Sequence, residues 1–233
     1  MIGGNMAETT QVALEIGPKG KKVVAIALNW PGLERGAKTE QEAMERLRSY
    51  TPRYSPVAKL AKMDATFSAI KDFDVIEQYP GTPSTDYWGI SFAFSSFDKQ
   101  DMSADELERE LTLMQACWAF FDDVSSRVSA EMQKGPRGGG RDRDQIVGHA
   151  FRTEQDWAEK VGVFTPDDAL MTNAGIKTHR SAYCQAIRDY HAQGIMPGKV
   201  AKWPLRFLIR HTAYHTLDHA WEMEDKDLTG KAA

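Results

Sequence analysis

The stretch "RHTAYHTLDHAWEMED", Arg210 to Asp225, places His211, His215 and His219 four residues apart, half of the six histidines in the chain. On a helix, residues four apart lie over one another with their β-carbons about 6 Å apart, so two imidazoles can reach one divalent ion. Each four-residue step overshoots a helical turn by about 40°. All three rings therefore cannot face one ion equally, and one adjacent pair is the expected ligand set. Phe207, Tyr214, Leu217 and Trp221 mark bulky apolar surface along this helix, and His215 and His219 lie further into it than His211, which follows Arg206 and Arg210. His215 and His219 are the expected ligands, with His211 a supporting or surface residue. The Glu of a His-Glu-x-x-His metalloprotease helix is missing, which excludes that chemistry.

A third ligand must come from another helix. His149 in "DQIVGHAFRTE" is the best candidate, mid-helix between Ile146 and Thr153, whereas His179 and His191 stand in more polar surroundings. Three neutral imidazoles leave a fourth metal position open, the layout of a catalytic zinc site. Such a site either lowers the pKa of a bound water or holds a thiol as its thiolate. Asp218 points about 100° away from His219 and is not expected to share the ion. Glu222, one turn after His219, is placed to accept from an imidazole or to be a plain surface acid. Glu154 falls off the His149 face. Trp118, Trp157, Tyr183 and Trp221 read as core or pocket wall. Cys117 and Cys184 read as reduced core thiols, and neither these nor any Gly-x-Ser-x-Gly supplies a nucleophilic triad.

The elements that must position these residues fall into two parts. "QVALEI" and "KKVVAIALNW" are β-rich runs joined by "GPKG". After the Pro31-Gly32 turn, Thr39 and Glu42 form a capping box, and the helix they open carries Ala43, Leu47 and Tyr50 and stalls at Pro52. A second helical stretch follows around Pro56–Met63, and "DFDVIEQYPG" reads as a further strand. "DYWGISFAFSSF" favours strand or loop. The first hundred residues thus read as a ββαβ unit. Beyond them, Ser103 and Glu106 cap a long helix whose apolar positions are Leu107, Leu111, Met114, Trp118, Phe121 and Val128. "GPRGGGRDRD" ends it, since consecutive glycines do not sit in a stable helix. Further helices are expected at about 143–161, 166–193 and 199–226, with Gly194 and Pro197 separating the last two. The fold class is α+β: residues 1–100 a small α/β unit, residues 101–233 an up-down four-helix bundle.

Two resemblances attach to these parts. "ALNWPGLERGAKTEQEAMERL" resembles the HicB-like antitoxin fold, with its strand, Pro-Gly turn, Thr cap and Glu-Ala helix. This implies a compact sheet and helix, not an antitoxin activity. From about Ser103 to Leu228 the chain resembles the DinB-like superfamily, which shows one His on the second bundle helix and two His four apart on the fourth. Those match His149, His215 and His219. The DinB-like resemblance implies a divalent metal, zinc or nickel, and a branch of thiol-dependent transferases that use mycothiol or bacillithiol and an electrophilic substrate. A bulky low-molecular-weight thiol needs cationic groups at the mouth of the site, for which Arg137, Arg141 and Arg143 are the candidates. The resemblance further implies a homodimer.

Composition sets outer bounds. The net charge is −4 and no basic run tracks phosphates, so nucleic acid is not an expected partner. The longest apolar runs are strand-sized, far short of the roughly 20 residues that span a bilayer, and the N-terminus lacks the pattern of a signal peptide. A cytoplasmic protein without membrane contact is the expectation. Two other functions stay open: a non-catalytic regulatory or stress-associated protein that binds a partner through the HicB-like segment, and a hydrolase using metal-bound water.

Overall fold

A computed structural model describes residues 8–136, 138–193 and 203–230. The fold is α+β: a four-stranded mixed sheet near the N-terminus and a largely helical remainder. The strands are β1 (Glu8–Ile16), β2 (Val23–Ala27), β3 (Glu34–Ala37) and β4 (Ile70–Pro80), in the order β3-β2-β1-β4. β1 runs antiparallel to β2 and parallel to β4, and β2 runs antiparallel to β3. β1 and β2 are buried on both faces: Val12, Leu14, Val23 and Ala25 turn toward the main core, and Ala13, Val24 and Ile26 toward a smaller cluster with Tyr79.

β3 departs from the expected ββαβ unit. Its four residues, Glu-Arg-Gly-Ala, follow the Pro31-Gly32 turn, and Glu34 and Arg35 are buried because distant partners meet their charges. The helix opened by Thr39, α1 (Glu40–Leu60), also does not stop at Pro52. Pro52 and Pro56 both sit on its solvent side, where the carbonyls they leave unbonded face water, while Tyr54, Val57 and Ala58 continue the buried face of Ala43 and Leu47. α2 (Asp64–Ser68) leads into β4; α3 (Pro83–Trp88) takes the first three residues of the stretch expected as strand or loop, and residues 89–96 are loop. Asp86 on α3 accepts from the backbone N–H groups of Lys19 and Lys21 at 2.7 and 2.8 Å, so α3 is pinned to the β1–β2 hairpin.

The long helices are α4 (Ala104–Arg127), α5 (Arg143–Ala158), α7 (Asn173–Gln193) and α8 (Leu205–Lys226). The Ser103–Glu106 capping box is formed in both directions, at 2.7 and 3.2 Å. The expected third helix is broken: α6 (Asp167–Leu170) precedes α7, and Thr172 Oγ1 accepts from the Gly175 N–H at 2.9 Å to restart the helix. Gly194, Pro197 and the expected start of the last helix lie outside the described residues. Cys117 and Cys184 are free and buried. No described helix is long and apolar enough to cross a membrane.

α8 joins the two parts. Gly32, in the turn after β2, sits at φ +91°, and a β-carbon there would stand 2.8 Å from Leu217 Cδ1. The turn therefore needs glycine both for its backbone and for the close approach of α8. Beside it, Arg210 meets Asp98 at 2.7 and 2.8 Å and Glu34 at 3.0 Å, all in the interior. Burial pushes Asp98 up, but the Arg210 charge and several hydrogen bonds more than offset it and hold Asp98 below its ordinary value. Glu34 is left with the weaker share: burial raises it from 4.5 to about 7, and its Oε1 has no hydrogen-bond partner. Asp98 is thus the ionised partner of Arg210.

A carboxyl raised on folding favours the folded state most below 4.5, and that contribution is lost as pH rises through about 7. Glu34→Gln should therefore flatten the fall in stability between those values, measured by urea unfolding, and cost little at neutral pH. Asp98→Asn should cost about 3–5 kcal/mol, because it strands Arg210 in the interior.

Candidate metal centre

His215 and His219 stand on successive turns of α8, and His149 projects from α5. One ligand nitrogen from each of the three lies within 4.8 Å of the others. The ring centroids are 5.1 Å apart for His149 and His215, 4.9 Å for His149 and His219, and 4.5 Å for His215 and His219. The two α8 rings point Nε2 at Nε2, 3.2 Å apart. Ligands about 2.0–2.1 Å from a tetrahedral zinc are about 3.3–3.4 Å from one another. The α8 pair already has that spacing, so the donor set fits a divalent ion.

The tautomers agree with this. His219 Nδ1 lies 2.7 Å from Glu222 Oε2, so Nδ1 carries the proton and Nε2 presents its lone pair. Glu222 is fixed in turn by Lys226 Nζ at 2.5 Å. The hydrogen bond from His219 depresses the Glu222 carboxyl well below its usual range, and the one from Lys226 adds to the effect. Burial is the main cause that lowers His149 to about 4, with the charges of His219 and Arg141 adding to it. Burial, then His219 and His149, lowers His215 strongly as well. Near neutral pH both rings are uncharged, the form that ligates a metal.

His149 is brought to α8 by the segment that the glycine-rich run seemed only to break. Gln133 N–H donates to the Lys226 carbonyl at 2.8 Å, and Met132 bridges to Asp227 just past the end of α8. Ser129 N–H donates to Asp227 Oδ1 at 2.9 Å. Asp142, at the start of α5, accepts from Met132 N–H at 3.0 Å and from Lys134 Nζ at 2.6 Å. The entry to α5 is therefore stitched to the C-terminal end of α8, and His149 follows within two turns.

The remaining candidates are distributed differently. His211 is not a surface residue: it is buried, and burial lowers it to about 3, so it is a neutral aromatic ring. It stacks on Phe207 at 4.9 Å and meets Trp157 at 4.7 Å. Trp157 also meets His215 at 5.2 Å and walls the site, while Trp118, Tyr183 and Trp221 belong to the core. His179 binds Thr165 Oγ1 at 2.8 Å, and His191 binds the Met102 carbonyl at 2.7 Å, both away from the cluster. Asp218 turns to Arg35 at 3.0 Å and Glu154 to Arg180 at 3.0 Å.

Arg137 lies outside the described residues. Arg143 pairs with Asp144 at 2.8 Å and donates toward the Val128 carbonyl. Arg141 is exposed and close enough for its charge to act on both His149 and His215. Arg152, one turn past Gly148 on α5, acts on His149 in the same way. Sequence spacing alone did not single out Arg152 or Lys226, although the Glu222–Lys226 pair has the ordinary i, i+4 spacing of a helix ion pair.

Glu222→Gln keeps the shape of the side chain but weakens its hold on the His219 tautomer. Divalent-metal affinity, measured by competition with a chromophoric chelator, should fall about 10–100-fold. Lys226→Met should give a smaller loss in the same direction. Comparisons with family models, curated proteins and solved structures return no match for this chain.

Proposed function

We propose that this chain is a divalent-metal protein of the DinB-like type, with His149, His215 and His219 as ligands, and that it performs thiol-dependent group transfer. The observation that carries the reading is the convergence of three imidazole nitrogens within 4.8 Å, one of them on a ring whose other nitrogen is held by the half-buried Glu222 carboxylate. Zinc and nickel both accept such a donor set.

An ion held by His149, His215 and His219 would supply the positive charge that stabilises a thiolate. The chain's own residues do the rest. Glu222 and Lys226 fix the His219 ring, and Trp157 with His211 forms an aromatic wall beside His215. Arg141 and Arg152 put positive charge near His149, where the acidic groups of a low-molecular-weight thiol would be received.

Metal analysis of the purified protein should find close to one zinc or nickel ion per chain, and His215→Ala or His149→Ala should abolish it. At a free metal concentration 100 times the Kd, the ion should add about 2.7 kcal/mol to stability, read as a rise in Tm that a chelator reverses. Bacillithiol or mycothiol should raise Tm further only in the metal-loaded form. A chain without stoichiometric metal, unaffected by His215→Ala, would end the proposal. Metal binding with no response to thiols would leave the hydrolase reading in its place.

A further inference from the structure

A second face of α8, the one from which Asp218 projects, closes a cavity of about 340 Å³ together with the edge of β3 and the end of α3. This is within the usual size of a small-molecule cleft. Its walls carry Lys22, Arg35, Lys38 and Arg46 against one carboxylate, Asp218. In a chain of net charge −4, this is a local reversal of sign.

The cations are poorly neutralised from within. Lys22 Nζ reaches the Tyr87 carbonyl at 3.3 Å, and Arg46 donates to the Gly36 carbonyl at 2.9 Å, both neutral acceptors. Among the described residues, the Lys38 ammonium has no ion pair or hydrogen bond, and Glu42 turns its carboxylate to the Lys38 backbone N–H at 3.2 Å. Arg35 is buried, with its guanidinium between the rings of Tyr50 and Trp221 at 3.8 and 4.2 Å. Its Nη1 meets Asp218 at 3.0 Å, while Nε and Nη2 are buried with no hydrogen-bond partner. Arg35 is thus a fixed interior charge, opposed by one half-exposed carboxylate, and it projects positive potential into a concave, low-dielectric space.

The walls are also preformed. A β-carbon on Gly36 would stand 2.1 Å from the Gly89 carbonyl oxygen, so β3 and the end of α3 meet backbone to backbone. Trp88 lines the cavity and is 64% exposed, leaving a flat apolar face beside the cations.

We infer that this cavity is a binding site for a small polyanion, a molecule bearing phosphate or carboxylate groups, separate from the histidine cluster. Lysine ammonium and arginine guanidinium groups line the space, and of the four only Arg35 is paired with an acid, Asp218.

Isothermal titration of the full chain at constant ionic strength, with inorganic phosphate, pyrophosphate and citrate as probes, tests it. At least one probe should bind with a submillimolar Kd, and the preferred probe distinguishes phosphate from carboxylate chemistry. The double variant K38E/R46E, at two exposed positions, should weaken binding about tenfold or more, as expected for lost charged hydrogen bonds. The variant K59E/K71E changes net charge equally at exposed lysines outside the cavity and should bind as the parent does. Far-ultraviolet circular dichroism and Tm establish that both variants fold, and Arg46→Gln repeats the test should the double variant fail. No saturable binding of any probe, or equal loss in the two double variants, would overturn the inference.

Discussion

A helix buried on nearly every side cannot leave its polar residues to water, and α8 is such a helix. Sixteen of its residues are buried, among them Arg206, Arg210, His211 and His219. Taking an ion out of water costs several kcal/mol even after relaxation, so each charge on α8 must be met by another element. Arg206 is met by Glu110 of α4 at 2.5 Å, and Arg210 by Asp98 and by Glu34 of β3. These pairs dictate which elements surround α8 and in which register. The sheet docks where Glu34 and Arg35 can reach Arg210 and Asp218, and α4 docks where Glu110 can reach Arg206.

Neutral imidazoles solve the same problem differently. A buried histidine sheds its proton instead of finding a counter-ion, so burial converts it from a cation into a lone-pair donor. His211 does this inside an aromatic stack and becomes packing. His215 does it facing His149, and His219, held through Nδ1 by Glu222, completes a group of three rings close enough to hold a metal. The difference between the two outcomes is positional. Helical drift turns His211 toward Phe207 and Trp157, and Glu222 stands one turn beyond His219 to fix its tautomer. One repeated spacing in the sequence therefore yields an aromatic filler and two members of the histidine cluster.

What was legible in the sequence follows the range of the interactions that decide it. Local signals read well: the Thr39 and Ser103 caps and the apolar face of α4 rest on contacts within a few residues, as does the placing of His215 and His219, and not His211, beside one another in the cluster. β3 did not read, because Glu34 and Arg35 are buried by partners 176 and 183 residues away. The continuation of α1 past Pro52 was hidden because it depends on which side of the helix faces water. At the break between α6 and α7 the Thr172 hydroxyl accepts from the Gly175 N–H, and Gly175 lets the chain pass close to the Ala169 carbonyl. Arg143, which looked equivalent to Arg141 by spacing, is engaged by Asp144, a choice of side-chain direction that spacing does not encode.

The distance between His149 and its partners is the hardest part of the site to read and the part that backbone chemistry accounts for best. Sixty-six residues separate His149 from His215, and bringing such distant positions together carries a loop-closure entropy. The segment from Ser129 to Asp142 removes that burden locally. It bonds to the Lys226 carbonyl and to Asp227 before α5 begins, so α5 starts from a fixed point beside α8. The glycines at 138–140 suit this arrangement: Gly138 and Gly140 hold positive φ, and the turn they make returns the chain from α8 to the Asp142 cap. The position of His149 is thus set by hydrogen bonds that join the entry of α5 to the end of α8.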